Sequence, residues 1–150
     1  MSNPITEESL YQLTSQELTL LLYEALQKNL VRASDAIHGG RLTDANLFLQ
    51  RCNDILHRLG VGINYEAGII ADQLEHIYNY MAERIIEANL QKDVAIIEEV
   101  QHLLKQIADA WKEAVQKAQA QTQAAKTIKR RINAYDQDLY DMELSVDRKE

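Results

Sequence analysis

Along most of this chain apolar residues return every three or four positions, the spacing of a helix with one buried face. Leu18, Leu21, Leu22, Ala25, Leu26, Leu30, Ala33 and Ile37 form the first such stripe. Thr14 and Glu17 precede or open it as a capping box, in which hydroxyl and carboxylate satisfy backbone donors that a helix start leaves open. The stripe stops at His38, Gly39 and Gly40, where glycine permits the left-handed turn that closes a helix. A second helix is predicted from Thr43 and Asp44, with Ala45, Leu49, Cys52, Ile55, Leu56 and Leu59 inward, ending at Gly60, Val61 and Gly62. A third is predicted from about Tyr65 to Asn89, burying Ile70, Leu74, Ile77, Met81, Ile85 and Ala88. Asn89 tolerates a left-handed stop, and Asp93 is a good start for a fourth helix. That helix carries Val94, Ile97, Val100, Leu104, Ile107, Trp111 and Ala114 or Val115.

Four amphipathic helices joined by short loops must lie antiparallel to their neighbours. The expected fold is therefore all-α, an up-down four-helix bundle over residues 14–118. Residues 1–13 form an N-terminal segment ahead of it. Residues 119–150 begin with a run of Ala, Gln and Thr. They then place Ala125, Ile128, Ile132, Tyr135, Leu139, Met142 and Val146 in strict three-four alternation. This is a heptad seam on an additional C-terminal helix, and a seam on an otherwise polar helix needs a partner surface.

Composition agrees with helix and narrows the function. Five Gly and one Pro leave little to interrupt helices, and 46% hydrophobic content suits one domain with a sizeable core. The net charge of −7 provides no basic field for a nucleic acid backbone or an anionic membrane surface. The basic cluster Lys126, Lys129, Arg130 and Arg131 is followed at once by Asp136, Asp138, Asp141 and Glu143. It reads as a charge-segregated tail. Cys52 is alone and fits a reducing compartment; no signal pattern or membrane-length apolar run is visible, so a cytoplasmic location is expected.

Catalytic chemistry has little to stand on. Bundles can hold di-metal sites from paired Glu-x-x-His motifs, and Glu99 with His102, Asp35 with His38 and Asp54 with His57 have that spacing. None lies on an apolar stripe, so a solvated face is the expected reading and no metal or cofactor is predicted. No zinc-type cysteine pair, phosphate loop or positioned nucleophile accompanies them. The aromatic residues say more. Tyr23, Tyr78, Tyr80 and Trp111 border the apolar stripes and widen those of the first and third helices, which suits a receptor for an amphipathic helix.

Three blocks then resemble the flagellin-specific flagellar export chaperones (FliS). They are SQELTLLLY from Ser15 to Tyr23, IYNYMAERIIEANLQKD from Ile77 to Asp93, and EV followed by ADAWKEAV between Glu99 and Val115. Asn46 to Leu59 resembles the family's second-helix pattern. The resemblance implies a cytoplasmic, non-enzymatic chaperone of type III flagellar export. Such a chaperone binds the C-terminal region of flagellin, prevents premature polymerisation and aids delivery to the export gate. Carried onto this chain, the client contacts are Leu22, Tyr23, Ile55, Leu59, Ile77, Tyr78, Met81 and Ile85, with Leu10 and Tyr11 as an N-terminal cover.

Three features depart from the family pattern. Tyr11 stands closer to the first helix than the family's usual aromatic, Asn29 occupies a position that is often apolar, and the tail is longer and more strongly patterned. The tail seam of Ile128, Ile132, Tyr135, Leu139 and Met142 is expected either to occupy the client groove of the empty protein or to pair two copies. The competing reading from the residues alone is a helical adaptor or self-associating bundle with another helical client.

Overall fold

A computed structural model describes residues 15–64 and 68–147, with side-chain surroundings through residue 144. All the regular structure among these residues is helical: α1 (Ser15–His38), α2 (Leu42–Val61), α3 (Ile69–Gln91) and α4 (Val94–Asp147). Thr14 of the capping box and Leu10 and Tyr11 of the expected cover lie outside the described residues.

Each helix ends for a local reason. After α1, Gly40 adopts a φ of 73°. The Arg41 N–H then reaches back to the Ala36 carbonyl at 2.8 Å and the Gly40 N–H to that of Ile37 at 3.1 Å. This reciprocal pair closes the last turn and needs a residue that tolerates the left-handed region. After α3 the left-handed residue is Lys92, with φ 50°, and the Asp93 N–H bonds the Ala88 carbonyl at 3.1 Å. The sequence reading placed this turn at Asn89. That residue instead stays helical and uses its side chain, receiving the Lys92 ammonium on both its carbonyl (2.6 Å) and its amide oxygen (2.5 Å). Asp93 opens α4 as expected, its carboxylate accepting the Ala95 N–H at 2.9 Å.

The chain forms two compact units, residues 1–112 and 113–150. In the first unit, all four helices contribute to one core. α1 buries Tyr23, Leu26, Leu30 and Ala33; α2 buries Leu49, Cys52, Leu56 and Leu59; α3 buries Tyr78, Met81, Ile85 and Ala88; α4 adds Ile96, Ile97, Val100 and Leu104. Side-chain pairs give the directions. Asn46 near the start of α2 bonds Asn89 near the end of α3, and Glu99 early in α4 meets Tyr80 and Arg84 in α3. Trp111 bonds Gln16 in the first turn of α1. Neighbouring helices therefore run antiparallel, as short loops require. Cys52 sits fully inside, and burial pushes its thiol up to about 12.

The stripes are correct in period and shifted in phase at two helix starts. Leu18 and Leu21 of α1 and Ile70 of α3 are exposed, while Tyr23 and Ala71 are buried. The LTLLLY run is apolar on nearly every side, so periodicity cannot choose its inner face. Packing of Leu26, Leu30 and Ala33 chooses it, and Tyr23 lies three residues before Leu26 on that line. Within α4, Val115 is buried and Ala114 exposed.

The second unit is helical throughout its described length as a continuation of α4. No Gly or Pro occurs between Val94 and Asp147, and the Ala-Gln run is itself a good helix former. Residues 119–144 are all exposed, the seam residues among them.

Candidate functional site: apolar grooves around a buried tyrosine pair

The first unit carries grooves at three helix junctions. One lies between α2 and α3 and has a volume of about 540 Å³. Leu56, Tyr78, Ala82, Val61 and Ile86 line it, with Asn53, His57, Glu75 and Asn79 as polar wall residues. Val61 is 74% exposed and Ile86 52%, large values for branched apolar side chains. Asn53 lines the groove too, with its Oδ1 buried and without a hydrogen-bond partner. A second groove, about 410 Å³, runs between α1 and α4 along Leu20, Tyr23, Gln27, Leu104 and Ala108, with Lys105, Asp109, Lys112 and Glu24 on its walls. Here the Gln27 Oε1 is buried and unpartnered. A third, about 200 Å³, gathers Leu59, Ile63, Ile70, Leu74, Tyr78 and Trp111 around the first turn of α1.

Tyr23 and Tyr78 tie these grooves together from inside. Their hydroxyls are 2.6 Å apart and buried, and the rings meet edge to face with centroids 6.4 Å apart. Trp111 stands edge-on to Tyr23 at 6.3 Å, and its indole N–H donates to the Gln16 carbonyl at 3.0 Å. Burial holds both phenols above their ordinary value, so they stay neutral and hydrogen-bonded. The sequence pattern set these tyrosines at the borders of the apolar stripes. The structure buries this pair because each supplies the other's partner, which removes the cost of an unsatisfied hydroxyl.

The eight residues expected to touch a client fall into two groups. Leu22, Ile55 and Ile77 are half-buried and pack against the core from its margin. Tyr23, Leu59, Tyr78, Met81 and Ile85 are buried. Of these, Tyr23, Leu59 and Tyr78 line grooves, whereas Met81 and Ile85 are fully covered beneath them. Val61, Ala82 and Ile86 also line the α2–α3 groove and were not among the residues expected from the sequence. Their signal was present, since Ile86 follows Ile85 and Ala82 follows Met81, on the flank of the stripe rather than its centre.

Asn29 is buried within α1, its amide donating to the Ala25 carbonyl at 2.8 Å while its Oδ1 has no partner. Its departure from an apolar residue is thus a local polar contact inside the helix. Glu99 is spoken for as well. The Tyr80 hydroxyl donates to it at 2.5 Å, and the Arg84 guanidinium donates at 3.2 and 2.9 Å, holding its carboxyl below the usual range. His102 instead meets the Gln106 amide at 3.2 Å. Among the described residues no cluster of three or more His, Cys, Asp or Glu could hold a metal, and no helix is long and apolar enough to cross a membrane.

The residues form an all-α bundle of antiparallel helices with apolar-floored, polar-walled grooves at its helix junctions. Comparison with known proteins makes this specific. The family model of flagellar protein FliS matches residues 2–118, and the chain belongs to that family. It is 33% identical over 117 residues to the flagellar secretion chaperone FliS of Salmonella typhimurium, covering 77% of this chain and 87% of that one. The Escherichia coli relative is 32% identical over 111 residues, 73% and 82% of the two chains. The Bacillus subtilis relative is 30% identical over 119 residues, 77% and 89%. A crystal structure of a bacterial flagellar chaperone superposes with a TM-score of 0.67 at 16% identity, covering 75% of this chain and 92% of that one, and so shares the fold. The protein is a flagellar export chaperone, in a family of chaperones and not of enzymes. Residues 119–150 lie beyond the matched span.

Proposed function

We propose that this chaperone works in the cytoplasm on the C-terminal region of flagellin, which it keeps from polymerising prematurely and helps deliver to the export gate. The observation that carries this reading is the α2–α3 groove, where exposed Val61 and Ile86 flank an apolar floor beside the unpaired Asn53 acceptor. An amphipathic client helix supplies apolar anchors for the floor. Burial of that surface contributes about 25 cal/mol per Å² before the ordering cost of a flexible client is subtracted. The net affinity is thereby kept moderate, which lets the client leave at the gate.

Direct contact falls to Val61, Ala82 and Ile86 with Tyr78 and Leu56 below them, and Leu22, Ile55 and Ile77 extend the margin. Met81 and Ile85 act by shaping the floor. Calorimetric titration with the C-terminal segment of the same organism's flagellin tests this. Ile86→Asp should weaken binding at least about tenfold with helicity and melting unchanged, since a desolvated charge replaces an apolar anchor. Absence of binding by the unmodified protein at micromolar concentrations would refute the client assignment. Full affinity in Ile86→Asp would move the client to another groove.

A further inference from the structure

The C-terminal half of α4 carries an exposed apolar line that neither the grooves nor the family match accounts for. Ile128, Ile132, Tyr135, Leu139 and Met142 stand on it, Tyr135 65% and Ile128 57% exposed, all on one helix. We infer that this segment is a self-recognition surface, through which two copies of the chain pair as an antiparallel coiled coil over residues 125–142.

The first argument is the spacing. In a helix pair, residues three and four apart alternate along the seam, and an antiparallel partner presents its a positions to the d positions opposite. Here the seam is symmetric about a point between Asn133 and Ala134. Turning a second copy end for end sets Ile132 against its Tyr135, Ile128 against its Leu139, and Ala125 against its Met142. The outer and central layers then set a larger side chain against a smaller one, Met142 against Ala125 and Tyr135 against Ile132, and the layer between them joins Ile128 and Leu139, which are of equal size. The paired stretch spans roughly 26 Å at the helical rise.

The second argument is charge, and it decides orientation. In an antiparallel pair each flank of the seam is lined by like-lettered positions of both helices, e beside e and g beside g. Lys129 then faces Asp136 of the second copy on one flank, and Arg131 faces its Asp138 on the other. Two-fold symmetry repeats both pairs. A parallel pair would keep Arg131 against Asp136 of the second copy but set Asp138 against its Glu143 and leave Lys129 without an opposite charge, so an attractive and a repulsive contact offset where the antiparallel pair has two attractive ones. Among the described residues, Lys129, Arg131, Asp136 and Asp138 make no ion pair within their own chain, so all are available. The charge segregation that gives a single helix nothing is complementary between two opposed copies.

Sedimentation equilibrium of the full chain reads the outcome directly. At concentrations on the order of 100 μM the mass should approach twice the 17.2 kDa of one chain and fall back on dilution. Lys129→Glu with Arg131→Glu should remain monomeric, as should Asp136→Lys with Asp138→Lys, and an equimolar mixture of the two variants should restore the doubled mass. Exposed helical positions tolerate these changes, and unchanged circular dichroism confirms it. Orientation is read by oxidation: chains with Ile128→Cys should cross-link to chains with Leu139→Cys and not to themselves, while native Cys52 stays buried. A monomer at all concentrations, a dimer indifferent to the charge variants, or self-cross-linking of Ile128→Cys would each overturn the proposal. A monomer would leave the seam to the chain's own groove or to the client.

Discussion

The Asn89 amide donates to the Asn46 side-chain oxygen at 2.7 Å, joining the end of α3 to the start of α2 across 43 residues of sequence. Both residues belong to the blocks that resemble the family, where they look unrelated in the linear chain. Asn89 also anchors the Lys92 ammonium, so one amide holds the interhelical contact and the left-handed turn together. Asn89→Ala should cost about 1 kcal/mol of stability, the usual net value of a neutral hydrogen bond in a half-buried site. Paired with Asn46→Ala in a denaturation cycle, the two losses should be less than additive. Full additivity would mean that the bond contributes nothing.

The Tyr23 and Tyr78 hydroxyls are each other's partner in a buried site, so removing one orphans the other. Tyr23→Phe should cost roughly 1–3 kcal/mol, and the double change to Phe should cost less than the two single changes combined. Urea unfolding of the three variants measures this. The raised phenol values also set a pH limit. Both hydroxyls are neutral in the folded state beyond the ordinary value of 10.0, whereas unfolded chains ionise there. Their contribution is whole below pH 10.0 and declines as pH rises above it.

Asn29 leaves one buried oxygen unsatisfied in the middle of α1. Asn29→Leu keeps the side chain's branching and removes that defect, so it should stabilise the protein by about 1 kcal/mol if the core takes the larger methyl groups, read as a higher melting temperature. A lower one would show that the core has no room for them.

The surface triad of Tyr80, Arg84 and Glu99 ties α3 to α4 and is sensitive to acid. The Tyr80 hydrogen bond first, and then Arg84, hold the Glu99 carboxyl below its ordinary 4.5. A depressed folded value means stability that is present above pH 4.5 and is lost as pH falls through the folded value. Glu99→Gln should therefore melt slightly below the unmodified protein at neutral pH, with the difference closing in acid. Because the side chains are exposed, added salt should shrink it too.

Local signals in the chain were enough to define four helices, their order and their antiparallel arrangement. Glycine at the ends of α1 and α2, Asp93 at the start of α4, and stripes at helical period each act within a few residues, and short loops leave one topology. The sequence reading set an additional helix after residue 118, whereas α4 runs unbroken to residue 147 because no Gly or Pro interrupts it; the heptad and its charge order are properties of sequence alone. What only tertiary structure decided is how broad apolar runs divide between core and surface. Leu21, Leu22 and Tyr23 are all apolar or nearly so, and only packing against α3 and α4 put Tyr23 inside and Leu21 outside. In the same way Ile85 became floor and Ile86 groove wall. Two adjacent apolar side chains on a helix point about 100° apart, so which one faces a neighbour depends on where that neighbour lies.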